Sequence, residues 1–297
     1  MKVFLPREFT RETMYGFVEK VLDNDMRPRD DEFDFDFTEL KFIRPVGVTV
    51  LSNLIERLNK QGRKVTVTYR KPKRFQRNCP MAFLDDSMFF KRYLKKTLDD
   101  KAELRPTTLP LAQVTYERSY QYLDRVIYWL AGKLSLTTES LSELKAAMSE
   151  VFNNITDHSL EHMGCVFIQQ YPKKHIVTVS ISDFGVGIPT AIQRISPSAD
   201  DAEALRLAVQ HGFSSKSTPK NRGAGLHFLL RNVVKNNQGK VYIHSNHGIL
   251  SATNTDGEID ISVEKTSGFY PGTLIEIEFR TDTIDNIVEE DFSWDDY

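Results

Sequence analysis

The chain has 297 residues, of which 40% are hydrophobic and 27% charged, and its formal net charge is −2. This composition predicts a soluble globular protein, and the near-neutral charge provides no global field that would attract nucleic acid or a membrane surface. The two cysteines, Cys79 and Cys165, lie far apart and outside any CxxC motif. They disfavour a disulfide framework and predict a cytoplasmic protein. The most apolar helical stretch, VIYWLAGKL, is too short to cross a bilayer.

The charged residues are distributed unevenly. Residues 1–112 carry 23 basic and 17 acidic side chains, and residues 60–77 carry eight basic side chains and no acidic one. Residues 281–297 carry seven acidic side chains and no basic one. This asymmetry predicts two domains followed by an acidic tail at 281–297. The basic segment is a candidate nucleic-acid surface. Charge runs are usually solvated faces, however, so nucleic acid is not predicted as a partner.

The first domain is predicted to span residues 1–105 and to be of the α/β class. FDFDFTELKFI alternates as a strand does, VGVTVLSNLIERLNKQG has a helical period, and KVTVTY is a second strand. A strand, a helix and a strand with short connections predict a βαβ unit with a parallel sheet. Residues 82–98 are predicted to be helical. Residues 106–113 are predicted to be a linker, because Pro106 and Pro110 interrupt any regular pattern there.

The second domain is predicted to span residues 114–280. Two amphipathic helices, ERSYQYLDRVIYWLAGKL and TTESLSELKAAMSEVFNNITDHSLEH, come first, and Gly164 is the expected stop of the second. CVFIQQY and HIVTVSISD predict a hairpin around residues 172–174. KVYIHSN, a strand near 258–264 and TLIEIEF complete a mixed, largely antiparallel sheet. Helices that precede such a sheet predict an α+β two-layer sandwich.

The stretch VSISDFGVGIPTA, residues 179–191, contains an Asp-Phe-Gly triplet. A protein-kinase magnesium loop is excluded, because the Gly-rich, Val-Ala-Ile-Lys and His-Arg-Asp motifs are missing upstream. Taken alone, the stretch predicts a strand that ends in a glycine turn. It is part of an ordered set, however. The set consists of Glu150, Asn154 and Asp157 on one helical face, then Asp183-x-Gly185-x-Gly187, then Gly223-Ala224-Gly225-Leu226 at a helix start, and Gly272-Thr273 at the last strand.

These residue types suit a nucleotide. The carboxylate of Asp183 can accept a hydrogen bond from an exocyclic amine and so select adenine, and amides at the helix start of 223–226 suit phosphate oxygens. The amide oxygen of Asn154 can ligate Mg²⁺, which prefers oxygen ligands shared with phosphates. Glu150, one turn earlier, can accept a proton from an attacking water. Without the glycine motifs, the three helix residues would be read as a solvated polar face.

The ordered set resembles the GHKL ATPase family, which includes gyrase-type ATPases, heat-shock chaperone and mismatch-repair ATPases, sensor histidine kinases and anti-sigma serine kinases. The resemblance covers residues 138–280. It implies an α+β two-layer sandwich of GHKL (Bergerat) type, ATP and Mg²⁺ as cofactors, Glu150 as general base and Asn154 as the Mg²⁺ ligand. It also implies that Thr273 bridges to Asp183 through water. The implied cofactor-binding residues are Asn154, Asp157, Asp183, Gly185, Gly187, Ile188, Lys216, Lys220, Arg222, Gly223, Ala224, Gly225, Leu226 and Thr273.

The segment ISPSADDAEALRLAVQHGFSSKSTPKNR would be the ATP lid of such a domain. DDAEALRLAVQ predicts a short helix, and the remainder has the composition of a loop. Lys216, Lys220 and Arg222 are candidate phosphate contacts, and a solvated basic loop is the alternative for each.

The motif HSLEH, residues 158–162, matches the His-x-x-Glu-His zinc pattern. Zinc is disfavoured because the helix is expected to stop at Gly164 and no third ligand is placed nearby.

The first domain resembles the STAS, or anti-anti-sigma, fold over residues 1–100. In phosphorylatable members the corner before the helix reads Asp-Ser-Ser-Gly, whereas here residues 44–47 read Arg-Pro-Val-Gly. Because the acceptor hydroxyl is missing, the module is predicted to act by docking, in cis or in a dimer, rather than by accepting phosphate.

The sequence therefore predicts a Mg²⁺-dependent ATP-binding protein, with slow hydrolysis coupled to lid movement and to the binding of a protein partner or a second copy. No membrane partner is predicted. Two alternatives stay open. One is an anti-sigma-type serine/threonine protein kinase, and the other is a nucleotide-sensing interaction module that does not hydrolyse ATP.

Overall fold

The structure, a computed structural model, describes residues 1–23, 25–76, 78–158, 163–210 and 225–287, without the side chains of residues 116, 117, 154–158 and 163. Among these residues, no helix is long and apolar enough to span a membrane. The fold is mixed α/β, and the described residues form three sheets, of three, five and two strands.

The N-terminal part is built on parallel strands. Its elements are β1 (Lys2–Phe4), β2 (Glu8–Phe9), α1 (Met14–Val21), β3 (Glu32–Asp36), β4 (Phe42–Ile43), α2 (Pro45–Lys60), β5 (Lys64–Thr68), α3 (Pro80–Asp86) and α4 (Phe89–Leu94). One sheet has the order β1-β3-β5, and β2 pairs with β4 in a second. The predicted βαβ unit, β3-α2-β5, is confirmed. The helix predicted over 82–98 is instead two short helices, because Met88 adopts a left-handed conformation between them.

The C-terminal part is built on one antiparallel sheet. Its elements are β6 (Thr108–Thr115), α5 (Tyr116–Leu134), α6 (Ser142–His158), β7 (Met163–Tyr171), β8 (Ile176–Asp183), α7 (Ile188–Gln193), α8 (Asp201–Ala208), α9 (Gly225–Leu230), β9 (Lys240–Thr255) and β10 (Glu258–Arg280). The sheet order is β6-β7-β8-β10-β9. The hairpin around residues 172–174 and the short helix predicted for DDAEALRLAVQ, α8, are confirmed. Gly164, expected to stop the second helix, is instead the second residue of β7.

Residues 106–113 differ from the predicted linker, because β6 begins at Thr108 and pairs with β7 at the edge of the large sheet. The register between these strands shifts between Leu109 and Ala112, and Pro110 lies within the shift. A proline has no N–H to donate, and it is tolerated in a sheet on an edge strand or at such an irregularity. The breaker residue that suggests a linker therefore marks a bulge.

The large sheet is covered on both faces. On one face, alternate residues of β8 such as Val177, Val179 and Ile181 share a core with the helices α5, α6 and α9. On the other face, Phe167 and Leu274 belong to a second core with the N-terminal part.

Helix α2 forms the contact between the two parts. It is buried along most of its length and contacts both β7 and β8. A helix without a solvent-exposed face is typical of the interior of a protein. Its first turn is tightly packed, because a Cβ on Gly47 would lie 2.8 Å from the backbone oxygen of Phe9. Residues 1–105 therefore form a layer that shares a core with the large sheet, and the STAS resemblance of that layer stays a prediction.

Candidate functional site

Asp183 is the last residue of β8, and the residue is only 4% exposed. The backbone N–H of Gly185 donates to its Oδ1 at 2.7 Å. Burial raises the pKa of Asp183 to about 7, although hydrogen bonds from the amides of Gly185 and Thr273 act in the opposite direction. Burial away from water disfavours the charged form of a carboxyl group. A ligand group that donates a hydrogen bond into this position would offset that cost.

Two glycines allow the chain to turn closely around this carboxylate. Gly272 has a φ of +79°, and a Cβ there would lie 2.5 Å from both the carbonyl oxygen of Asp183 and the amide nitrogen of Gly185. Gly187 has a φ of +80°, and a Cβ there would lie 2.7 Å from Oδ1 of Asn246. Positive φ and the absence of a side chain are both needed at these two positions. Gly272 lies within β10 rather than at the predicted start of the last strand, and the absence of a side chain there lets this part of β10 lie close against the end of β8.

Thr273 of β10 lies opposite Asp183 in the antiparallel register, and the water bridge implied between the two residues stays a prediction. Ser245 of β9 connects β10 to the residues that follow β8 through two hydrogen bonds. Its hydroxyl donates to the carbonyl oxygen of Gly272 at 2.5 Å and accepts a hydrogen bond from the amide of Ile188 at 2.9 Å. The amide of Ile188, a predicted nucleotide contact, therefore already has a partner in the protein.

Ser245 and Asn246 are site residues that the motifs did not identify. Asn246 donates from Nδ2 to the hydroxyl of Thr190 at 2.9 Å, which links β9 to α7. Their signal in the sequence is the polar pair that ends KVYIHSN, directly after an alternating strand. Such a pair is also typical of a plain strand end, so it indicates a site only once the register is known.

Glu150 lies on α6 and is half-buried, and burial raises the pKa of its carboxyl group. Asn154 and Asp157 follow on the same helix, but their side chains lie outside the described part of the structure. Gly225 and Leu226 begin α9, which contacts α6. The Leu226 side chain is buried in the core, so only its backbone is available to a ligand.

Several predicted contacts lie outside the described residues. They are Lys216, Lys220, Arg222, Gly223 and Ala224 of the lid and its glycine motif, together with residues 159–162 of the zinc pattern. Within the described part of the chain, no group of three or more His, Cys, Asp and Glu residues could hold a metal ion.

The described site residues form two sets. One lies where the end of β8 faces the interior of β10 and consists of Asp183, Gly185, Gly187, Ile188 and Thr273. The other lies on the contacting helices α6 and α9 and consists of Glu150, Gly225 and Leu226.

The sequence matches no family model and no curated protein. Among solved structures, the chain is similar to the 43K ATPase domain of Thermus thermophilus gyrase B in complex with an aminocoumarin. The TM-score is 0.29 and the sequence identity 16%, over 60% of this chain and 44% of that one. The chain therefore spans less than half the length of that structure.

Proposed function

We propose that this protein binds ATP, with the Asp183 carboxylate accepting a hydrogen bond from the exocyclic amine of adenine. The observation that carries the proposal is the burial of Asp183 at a strand end, in a turn that Gly272 and Ser245 hold closed. A buried carboxylate is costly unless it is paired or hydrogen-bonded, and residues of this kind cluster at functional sites. If this position had only a structural role, an uncharged asparagine would fill it equally well.

The phosphate end is assigned to the start of α9 and to the lid. Gly225 begins α9, and Gly223 and Ala224 precede it in the pattern. Glycines at a helix start leave backbone N–H groups free to contact phosphate oxygens. Lys216, Lys220 and Arg222 are proposed as further phosphate contacts, because all three are basic and closely precede this start.

The donor chemistry of the chain fits Mg²⁺ when the nucleotide supplies part of the coordination. The described residues contain no cluster that could hold a metal alone. Mg²⁺ is usually bound by one or two protein oxygens together with substrate phosphates and water. Asn154, one turn after Glu150 on α6, would provide that oxygen. When bound, the ion would neutralise phosphate charge.

Slow hydrolysis is the proposed activity, with Glu150 as the general base. A base works best when its pKa lies near the operating pH, and the burial of Glu150 shifts its pKa in that direction. Lid movement coupled to the binding of a partner or a second copy completes the proposal. Phosphotransfer to a protein is the competing activity, which a labelled partner protein would reveal.

The first experiment is calorimetric titration with ATP, ADP, GTP and a non-hydrolysable ATP analogue, each with and without Mg²⁺, followed by a phosphate-release assay. Asp183→Asn should weaken ATP binding about tenfold or more, because a hydrogen bond to a charged group contributes about 1.5–3 kcal/mol. Asp256→Asn is the matched control, since Asp256 is exposed in the turn between β9 and β10.

Equal affinity for ATP and GTP, or unchanged ATP affinity in a folded Asp183→Asn variant, would contradict adenine recognition by this residue. If the protein binds ATP but releases no phosphate, the proposed hydrolysis is wrong and the nucleotide-sensing alternative is supported.

A further inference from the structure

A chain of buried polar side chains crosses from the N-terminal layer into the large sheet. Asn53 of α2 donates from Nδ2 to the hydroxyl of Ser182 on β8 at 3.0 Å. The Ser182 hydroxyl also forms a hydrogen bond with the hydroxyl of Tyr270 on β10. All three residues are buried, and Ser182 and Tyr270 are completely so. The Ser182 hydroxyl thus joins helix α2 of the N-terminal layer to two neighbouring strands of the large sheet, β8 and β10.

This chain lies directly behind the proposed adenine site. Ser182 precedes Asp183 in β8, and successive side chains of a strand point to opposite faces of the sheet. The Asp183 carboxylate therefore lies on the ligand side, and its neighbour is held from the other side by α2. Tyr270 lies two residues before Gly272 in β10. The centre of its ring is 5.7 Å from that of Phe184, the residue that follows Asp183 in the sequence.

The site carboxylate and the network also interact electrostatically. Burial raises the pKa of the Tyr270 hydroxyl, the hydrogen bond with Ser182 lowers it, and the charge of Asp183 raises it further. The two groups are therefore close enough for a change in one to alter the other.

The connection is selective along β8. Ser180 lies two residues before Ser182, on the same face of β8, and is equally buried. Its hydroxyl, however, has no hydrogen-bond partner among the described residues. The Thr49 hydroxyl of α2 donates to the carbonyl oxygen of Pro45 at 3.0 Å and lies 3.5 Å from the backbone oxygen of Ser180, so it does not engage the Ser180 hydroxyl. A fully satisfied buried polar network specifies one arrangement of the groups that it joins. In β8, the hydrogen-bonded network therefore fixes the position of Ser182, the residue next to Asp183.

We propose that Asn53 is a positioning residue for the Asp183 carboxylate, so that helix α2 of the N-terminal layer sets the affinity of the nucleotide site through Ser182 and Tyr270. This inference rests on the proposed function, because it concerns how the adenine-binding group is held. It also gives the N-terminal layer a role that requires no phosphate acceptor. Any partner that displaces α2 would change nucleotide affinity without touching the nucleotide.

The test uses the full-length protein and three variants. Asn53→Leu removes the donor from α2 at similar volume, and Ser182→Ala removes the hydroxyl that joins the three groups. Ser180→Ala is the matched control, because it is the same substitution on the same strand and face but removes a hydroxyl that has no hydrogen-bond partner in the described part of the chain. Two quantities are measured, the ATP affinity by calorimetry and the pKa of Asp183.

That pKa is obtained from the pH dependence of unfolding, as the difference between each protein and the same protein carrying Asp183→Asn. Asn53→Leu and Ser182→Ala should each weaken ATP binding roughly fivefold, the contribution of one neutral hydrogen bond. They should also lower the pKa of Asp183 towards its ordinary value, since a loosened corner admits water. Ser180→Ala should change neither quantity.

Each outcome decides one of the two claims. If the folded Asn53→Leu and Ser182→Ala proteins keep both the ATP affinity and the Asp183 pKa of the parent, the positioning role is wrong. The proposal that the protein binds ATP is then unaffected. If Ser180→Ala changes both quantities as strongly as Ser182→Ala, the effect is general packing and the positioning role is again wrong. If the parent protein binds no ATP, the proposed function fails, and the pKa measurement still decides whether Asn53 positions Asp183.

Discussion

Replacing Asp183 by asparagine is expected to stabilise the protein above pH 7 while it weakens ATP binding. The carboxyl group has a pKa of about 7 in the folded protein, against an ordinary value of 3.8. A raised pKa means that the folded state holds the proton more tightly than the unfolded chain does. The stability that this group contributes is therefore fully present below about pH 4 and is lost as the pH rises to 7.

The magnitude follows from the size of that shift. A shift of one pKa unit corresponds to 1.36 kcal/mol, so the full cost of the ionised carboxylate is about 4 kcal/mol at pH 8. Between pH 5 and pH 8 the expected loss is about 2.5 kcal/mol. Asparagine stays neutral throughout and keeps one oxygen to accept the amide hydrogen bond of Gly185. The variant should show no such loss.

The assay is urea unfolding of both proteins at several pH values between 5 and 8, without nucleotide. The difference in unfolding free energy is the relevant quantity, because it cancels other titrating groups such as Glu276 and His244, whose pKa values burial also shifts. The advantage of the variant should grow with pH and level off above pH 7. A difference that does not change with pH would refute the burial of a titrating carboxylate at this position.

Three further predictions test other parts of the site. Glu150→Ala should keep ATP affinity and abolish phosphate release, since it removes the base; release at the parent rate would contradict that role. Gly272→Ala should lower the unfolding free energy more than Gly257→Ala in urea titrations. Both positions have positive φ, but only the Cβ at 272 would meet backbone atoms. Residues 106–297 produced alone should bind a hydrophobic dye and aggregate, because the sheet face carrying Phe167 and Leu274 loses its cover. A monomeric, cooperatively unfolding fragment would refute the shared core.

Much of the local structure could be predicted because it follows from short-range patterns. The helical period of VGVTVLSNLIERLNKQG and the alternation of KVTVTY define α2 and β5, and a parallel pair with short connections follows from them. The strand β6 could not be predicted, because Pro110 indicates a break and only the partner strand shows that the break is a bulge. The antiparallel register places Thr273 opposite Asp183, and the water bridge between them that the resemblance implies stays a prediction.

The covering of the second sheet face could not be predicted, and the reason lies in β8 itself. Its residues Val177 to Ser182 alternate apolar and small hydroxyl side chains, which is typical of a strand with one solvated face. Helix α2 likewise carries Thr49 and Asn53 four residues apart, as a solvated stripe would. In the structure these two polar faces meet and are buried together.

What separates such faces from a true surface is their chemistry. A solvated face usually carries lysine, glutamate or arginine, whose long charged side chains resist burial. The polar positions of β8 before Asp183 carry only threonine and serine, whose short hydroxyls can be satisfied within a close contact. An uncharged polar stripe on one face of a strand, next to a carboxylate on the opposite face, is thus a sequence signal for a buried contact behind a site. Asn53 and Ser182, 129 residues apart, form that contact here.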